Sequence, residues 1–307
     1  MSSLRPGLAA LVAGAVSALL FLAFQTGSMG GMILFWMAQL PLFLVALSLG
    51  PAWGLAAAGW GFGMLALAAH LMLGLEYAVL APLPVLAMTG AALRGRKPDP
   101  ALMLMALAAV VITAFVAADI VNLGVSGGLQ TRIRLGIGSV LAAAHRGRMS
   151  WVDIPTLNRL AGFVPGIVGC VVMLIAIGNG VLAQGALARF GWNKWGSPRM
   201  ARLTLPRWTS VFLVVALAAG VAGSGEVQFV GGNLAFMAAV PIMFGGFAVV
   251  HSWSDKYPAY WPVVPGLYVV SFVVGWSIPL VVALGMVEQW FGLRHKMARP
   301  TEERTDG

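Results

Sequence analysis

The sequence predicts an all-α fold: a polytopic bundle of eight or nine transmembrane helices with one interfacial amphipathic helix. Of the 307 residues, 60% are hydrophobic and only 9% are charged, whereas a soluble domain carries about 25% charged residues. Apolar stretches of about 17–25 residues recur along the chain, and about 20 helical residues cross a hydrocarbon core about 30 Å thick. Helices also satisfy their own backbone hydrogen bonds in lipid.

Nine apolar segments are predicted to cross the membrane in turn, separated mostly by short connections rich in Gly, Pro or Arg. They cover residues 7–24, 32–49, 52–72, 77–93, 101–123, 160–187, 208–223, 234–251 and 263–287. We expect one transmembrane domain over residues 1–300. The first five spans lie within 7–123 and the remaining spans within 160–288, followed by a disordered polar tail at 301–307.

The positions of Lys and Arg predict the orientation, because cytoplasmic loops of membrane proteins carry more basic residues than outer ones. We expect a bacterial inner-membrane protein with a cytoplasmic N-terminus, which places the basic connections at 94–97 and 189–207 in the cytoplasm. Two features oppose this rule: the five arginines within 132–159 would lie outside, and nine crossings would leave the basic residues within 294–299 outside as well. If the short segment 208–223 is re-entrant, eight crossings give a cytoplasmic C-terminus, and the sequence leaves both counts open.

Residues 127–150 predict an amphipathic helix on the membrane surface. Its apolar positions recur at helical spacing: Leu129, Ile133, Ile137, Val140, Leu141 and Ala144. Four arginines flank this stripe: Arg132, Arg134, Arg146 and Arg148. Such a helix lies in the interface with its basic side chains towards lipid phosphates. We expect a lipid-anchored connector, with a gate or a partner-docking lever as the alternative.

Polar side chains inside or beside the spans are the candidate functional residues, because ionisable groups are costly within a membrane. The predicted polar pocket consists of Asp119, Asn122, Asn179, Asn233 and Gln39. If Asp119 faces the bundle, it could bind a cation, a proton or a substrate amine. If it faces the headgroups, it is an ordinary boundary residue. The four amides are better explained by hydrogen bonds between helices, with ligand binding as the alternative.

Small residues at four-residue spacing mark one face of the first span: Ala9, Ala13 and Ser17. Such a face lets helix backbones approach closely. It can pack within the chain or dock a membrane-protein partner subunit or a second copy of the chain.

Catalytic, metal and nucleic-acid functions lack their usual signatures. The chain has no HExxH motif and no phosphate-cradling Gly-Lys motif. The lone Cys170 can form neither an intramolecular disulfide nor a cysteine metal cluster. The net charge of +9 comes from basic residues at span ends, where lipid headgroups explain them. We therefore expect no enzyme activity, no catalytic residues, no cofactor, no metal and no nucleic-acid partner.

The first third resembles the substrate-binding subunits of energy-coupling-factor vitamin transporters. The resemblance rests on the run 40–54, which contains a Gly-Pro-x-x-Gly turn beginning at Gly50, and on Ala9 and Ala13 in the first span. It implies that the first-helix face docks a transmembrane coupling subunit.

Most of the chain is similar to the YybS-like family of bacterial integral membrane proteins of unknown function. The similar segments are 179–191 (NGVLAQGALARFG), 203–208 (LTLPRW), Asn233 with 246–251 (GFAVVH), and 288–294 (EQWFGLR). Where that family has two acidic positions near the C-terminus, this chain has Glu288 and Gly292, so the second acid is missing.

Two functions from different classes follow from these observations. The first is recognition or transport of an unknown small molecule by a binding subunit that needs an energising partner. The alternative is a non-catalytic scaffold or accessory subunit of a membrane protein complex. A polar cluster around a cavity favours the first function, and an exposed small-residue face without a cavity favours the second.

Overall fold

The computed structural model describes residues 4–92, 98–124, 128–146, 160–194, 196–257, 259 and 262–298, and every regular element within them is helical. The first eight helices are α1 (Leu4–Leu22), α2 (Met29–Trp36), α3 (Leu40–Leu49), α4 (Pro51–Ala68), α5 (Leu71–Leu80), α6 (Pro82–Ala92), α7 (Pro100–Asn122) and α8 (Gly128–Arg146). The others are α9 (Val164–Arg189), α10 (Trp208–Ala222), α11 (Gly225–Lys256), α12 (Val263–Val274), α13 (Ser277–Phe291) and α14 (Leu293–Ala298).

Seven helical segments in the described part of the chain are long and apolar enough to cross a membrane. They are Arg5–Thr26, Met29–Leu49, Pro51–Ala68, Leu71–Ala92, Pro100–Asn122, Ala161–Arg189 and Gly225–Lys256. Two further apolar helices, α10 and α13, are shorter, with 15 residues each. The predicted all-α class with several membrane-spanning helices is confirmed.

Two predicted spans are interrupted near prolines. The second span breaks into α2 and α3 around residues 37–39, just before Pro41, and the fourth breaks into α5 and α6 at Ala81, just before Pro82. A proline lacks the N–H that would continue the helical hydrogen bonds, and its ring crowds the preceding turn. Each of these candidate spans therefore consists of two half-helices.

Local capping sets the boundary between the third and fourth spans. The predicted third span continued to residue 72, but α4 ends at Ala68 and α5 begins at Leu71. Between them, His70 accepts a hydrogen bond at its Nδ1 from the Leu73 N–H (3.1 Å), so it caps α5. A side-chain acceptor at this position satisfies one of the free amides of a helix N-terminus.

The chain divides into two compact units, Met1–Pro198 and Arg199–Gly307. In the first unit, α1 packs against α4, α6 against α7, and α9 against α3. Gly14 lies so close to the Ala57 carbonyl of α4 that a Cβ there would collide with it. Tyr77 donates to the buried Ser17 hydroxyl (2.9 Å), which in turn donates to the Ala38 carbonyl (2.6 Å). Small residues therefore bring α1 close to its neighbours, and buried hydrogen bonds join it to two other spans.

In the second unit, α11 is the central helix and both α10 and α13 pack along it. Near the end of α10, Gly220 lies against Gly232 near the start of α11. Trp290, at the end of α13, donates from Nε1 to the Ser210 hydroxyl (3.0 Å) near the start of α10. Thus α10 runs antiparallel to both α11 and α13.

The predicted span 263–287 is not one continuous helix. It is divided into α12 and α13 at Gly275, which has φ 61°. Only glycine adopts this left-handed conformation at little cost. Tyr268 of α12 stacks on Phe247 of α11, with ring centroids 4.3 Å apart. The 12 residues of α12 extend about 18 Å, so α12 and α13 form a helical hairpin that turns partway along α11.

The predicted amphipathic segment contains a helix, α8, whose backbone continues through Gly136 and Gly138. Leu129, Ile133 and Ile137 are half-buried, whereas Arg132 and Arg134 are exposed. The helix contacts α7 and the turn Ala161–Phe163. Part of the apolar stripe is therefore covered by protein. The side chains of Val140, Leu141, Ala144, Arg146 and Arg148, the cluster 94–97, Arg299 and the tail 301–307 lie outside the described residues.

Candidate functional site

The Gln39 side chain joins the second span to the fourth by completing a hydrogen bond that a proline removes. Gln39 is 3% exposed, and its Nε2 donates to the Leu80 carbonyl (2.8 Å). In a continuous helix that carbonyl would accept from the residue four positions later, but that residue is Pro84, which has no N–H. The amide of Gln39 therefore takes the place of the missing helical donor.

The Asn179 side chain likewise replaces a helical hydrogen-bond donor, at the break between α2 and α3. Pro41 has no N–H for the Met37 carbonyl, and the Leu40 N–H bonds to Met37 instead (3.0 Å). This leaves the Trp36 carbonyl without Leu40 as its helical donor, and Asn179 Nδ2 donates to it (2.7 Å). Asn179 thereby attaches α9 to the interrupted second span.

Both amides keep a buried oxygen that has no donor. Gln39 Oε1 and Asn179 Oδ1 are inaccessible to solvent and accept no hydrogen bond. A buried unsatisfied acceptor costs about 1–3 kcal/mol. The structure thus places two of the five predicted pocket residues beside the same helix break.

Asp119 and Asn122 lie three residues apart in the last turn of α7. They are 7% and 9% exposed, and each has an Oδ1 atom without a hydrogen-bond partner. No hydrogen bond in the described part of the chain joins either residue to Gln39 or Asn179. The Asp119 side chain is covered by protein.

Asn233 belongs to the second unit, where it is fully buried in α11 and donates from Nδ2 to the Phe229 carbonyl (2.7 Å).

A cavity of about 480 Å³ lies in the first unit beside the break between α2 and α3. Four aromatic side chains line it: Phe21, Phe24, Phe35 and Trp36. Its polar lining comes from Gln25, Gln39 and Glu76, and one wall is the stretch of α9 between Ile167 and Ile175. Small-molecule sites are concave and mostly apolar, with a few polar groups that orient the ligand. Gln39 is the only predicted pocket residue among those that line this cavity.

The aromatic residues of the lining were not among the candidates selected from the sequence, and Glu76, one of two acids near span depth, was interpreted as a structural residue at a helix start. Their signal was the density of aromatic residues between positions 21 and 36 and a single acid at 76. Neither pattern distinguishes a cavity wall from an ordinary apolar span.

The predicted docking face has mixed accessibility. Ser17 is completely buried with its hydrogen bonds inside the unit, and Ala13 is 7% exposed. Ala9 and Ala13 both line an open apolar groove between α1 and the second span, together with Val12, Val16 and Pro41. Ser17 therefore serves packing within the chain, and only the first two residues lie along an accessible groove.

In the second unit, the C-terminal motif forms an ion pair. Arg294 Nε donates to Glu288 Oε1 (2.7 Å), and the Arg294 N–H donates to Glu288 Oε2 (3.1 Å). Arg294 also donates from Nη1 to the Ala201 carbonyl (2.8 Å), which Ser252 contacts as well (3.3 Å). These bonds attach the end of α13 to the turn Met200–Arg202 and to α11, so Glu288 is occupied with an internal partner.

Comparison with protein-family models, with curated proteins and with solved structures finds no match for this chain. Its helices support a multi-pass integral membrane protein in contact with the lipid bilayer.

Proposed function

We propose that the chain is a small-molecule binding subunit of a membrane transport system, similar in role to the binding subunits of energy-coupling-factor transporters and related to the YybS-like proteins. The observation that carries this proposal is the cavity lined by Phe21, Phe24, Phe35 and Trp36 beside the buried Gln39. Its volume of about 480 Å³ is within the common range for ligand sites, about 300–1,000 Å³.

The chemistry of the lining favours an amine with an apolar or aromatic body. Aromatic faces attract cations as well as flat apolar groups. Glu76 adds a carboxylate to the lining, and the amide of Gln39 is a second polar group there. The described lining residues include no Lys or Arg that would repel a positive charge.

The proposal is tested with purified full-length protein and a panel of arylalkyl and alkyl amines, each paired with the alcohol of the same skeleton. We expect amines to raise the melting temperature in detergent more than their paired alcohols, because only the amines carry a charge that Glu76 attracts. Binding to the native state stabilises by RT ln(1 + [L]/Kd). Glu76→Gln should remove the difference between each amine and its alcohol.

Asp99→Asn provides the matched control, since Asp99 caps α7 by accepting from the Ala101 N–H (2.9 Å) and is absent from the cavity lining. Asparagine caps helices as well as aspartate does, so this variant should keep the full preference for amines. If no compound stabilises the wild-type protein, or if Glu76→Gln retains the preference, the proposed ligand class is wrong.

The scaffold function remains the second candidate because of the groove that contains Ala9 and Ala13. Its volume of about 810 Å³ and its apolar lining suit a helix of another subunit. The ligand panel discriminates the two functions, since a scaffold has no reason to prefer amines over alcohols.

We also propose a bacterial inner-membrane location with the N-terminus in the cytoplasm. If the α12–α13 hairpin is re-entrant, eight crossings bring the C-terminal basic residues into agreement with the positive-inside rule, whereas the arginines of α8 remain on the outer side. Both outer ends of the hairpin then lie on the side where α11 ends, and the basic residues of α14 are cytoplasmic. The re-entrant segment would thus be 263–291 in place of 208–223.

We further propose that α8 lies along the membrane interface with Arg132 and Arg134 towards the lipid phosphates. In a Cys170→Ala background, a spin label at 134 should collide with a water-soluble nickel reagent, because its face is exposed. A label at 133, on the half-buried face, should be protected from nickel. Val181, which is 66% exposed on the span formed by α9, provides the lipid-facing reference and should collide mainly with oxygen. Equal nickel accessibility at 133 and 134 would contradict this placement.

A further inference from the structure

The last turn of α7 carries two buried side chains, each with an oxygen atom that has no hydrogen-bond partner. Asp119 and Asn122 are three residues apart, so their side chains lie on the same helix face. They are 7% and 9% exposed, and the Oδ1 atom of each lacks a hydrogen-bond partner. Burying a charged carboxylate without a partner is expensive in any protein interior, and Asp119 lies within a candidate membrane span.

The local structure supplies no donor for these oxygens. Asn122 uses its Nδ2 to donate to the Ala118 carbonyl (2.6 Å), one turn earlier. The Leu123 N–H is bonded to the Ile120 carbonyl (3.1 Å). Across the described residues, the one ion pair present joins Glu288 to Arg294, so no Lys or Arg there neutralises Asp119. The carboxylate therefore needs a positive partner from outside the described chain.

The position of Asp119 at the C-terminal end of α7 makes a positive partner for its carboxylate still more favourable. The C-terminus of an α-helix carries a partial negative charge, and its last carbonyls have no intrahelical donors. An aspartate there experiences repulsion that a bound cation would reverse. In membrane transporters, helix C-terminal ends and free carbonyls are used to coordinate sodium ions.

We propose that Asp119 and Asn122, with the carbonyls of the last turn of α7, bind a monovalent metal cation. Oxygen atoms are the ligands that such hard cations prefer. One carboxylate balances a single positive charge, whereas a divalent ion typically takes more charged ligands. The proposal is independent of the amine cavity, whose lining includes neither residue.

The test measures the melting temperature of purified full-length protein in detergent, with sodium, potassium or choline chloride at equal ionic strength. Choline is too large for a site of two side-chain oxygens, so it controls for general salt effects. Sodium or potassium should raise the melting temperature in a saturable way. The rise should reach about 5–10 °C at a concentration about 100 times Kd.

Two variants test whether the rise in melting temperature with sodium or potassium arises from binding at Asp119 and Asn122. Asp119→Asn removes the charge and Asn122→Leu removes the amide oxygen, and either should abolish the difference between metal and choline salts. Asp99→Asn makes the same acid-to-amide change at the other end of α7 and should retain that difference.

Radiolabelled sodium binding to wild-type protein, competed by unlabelled sodium and potassium, keeps the test valid if a variant fails to fold. Identical melting temperatures in all three salts with no bound label would overturn the proposal. A metal response that survives in Asp119→Asn would also overturn it.

Discussion

Gly285→Ala should destabilise the second unit by about 3 kcal/mol, and Gly246→Ala by a similar amount. A Cβ at Gly285 would overlap the Ile242 carbonyl oxygen, and one at Gly246 would overlap the Val281 carbonyl oxygen. These obstacles are backbone atoms, which cannot change rotamer to make room. The helices α11 and α13 would have to move apart, and packing of this kind is a main source of helix association in lipid.

The expected result is a fall of about 6 °C in the melting temperature in detergent for each variant. Gly266→Ala is the matched control because a Cβ there meets nothing within 4 Å. Alanine is a better helix former than glycine, so this control should leave the melting temperature unchanged or raise it. The double variant should cost less than the sum of the single ones, since one displacement relieves both collisions. A Gly285→Ala protein as stable as the wild type would contradict the close approach of α11 and α13.

Gln39→Leu should destabilise the first unit by about 1–3 kcal/mol, because it leaves the Leu80 carbonyl buried without a donor. Pro84→Ala should largely abolish this cost, since alanine returns an N–H four residues after Leu80. The two substitutions are therefore expected to be strongly coupled, and melting temperatures of the two single variants and the double variant measure that coupling.

A crossed pair of variants provides the control. Asn179→Leu leaves the Trp36 carbonyl without its donor, and Pro41→Ala should compensate by returning the Leu40 N–H to that carbonyl. Pro84→Ala should not rescue Asn179→Leu, and Pro41→Ala should not rescue Gln39→Leu. If the costs of Gln39→Leu and Pro84→Ala simply add, Gln39 does not replace the missing helical donor and the proposed role is wrong.

Apolar length predicted most spans because a helix that crosses lipid must be apolar along its full length. The span over α7 was predicted as 101–123 and is observed as Pro100–Asn122. The prediction failed where the chain turns without becoming polar. Gly275 interrupts an apolar run, and the start of α11 at Gly225 lies nine residues before the predicted start of that span.

The candidate site was less predictable because hydropathy selects polar residues without saying which of them meet. Gln39 and Asn179 were selected for their polarity, and both lie at the break before Pro41. Asp119 was selected with them but lies near Asn122 in the last turn of α7. Aromatic residues such as Trp36 that line the cavity resemble any apolar residue of a span, so the sequence did not distinguish them.

The sequence by itself determined the class of this protein, because lipid accepts only helices whose backbone groups are satisfied within each segment. Such bonds are local, and composition therefore predicts them. Only the tertiary structure decided the role of the amides, since Gln39 bonds to a carbonyl 41 residues away and Asn179 to one 143 residues away. Because Pro41 and Pro84 interrupt the helical hydrogen bonds, these two carbonyls lack helical donors. Which side chain supplies the donor to each carbonyl depends on how the spans pack, and the local sequence does not specify that packing.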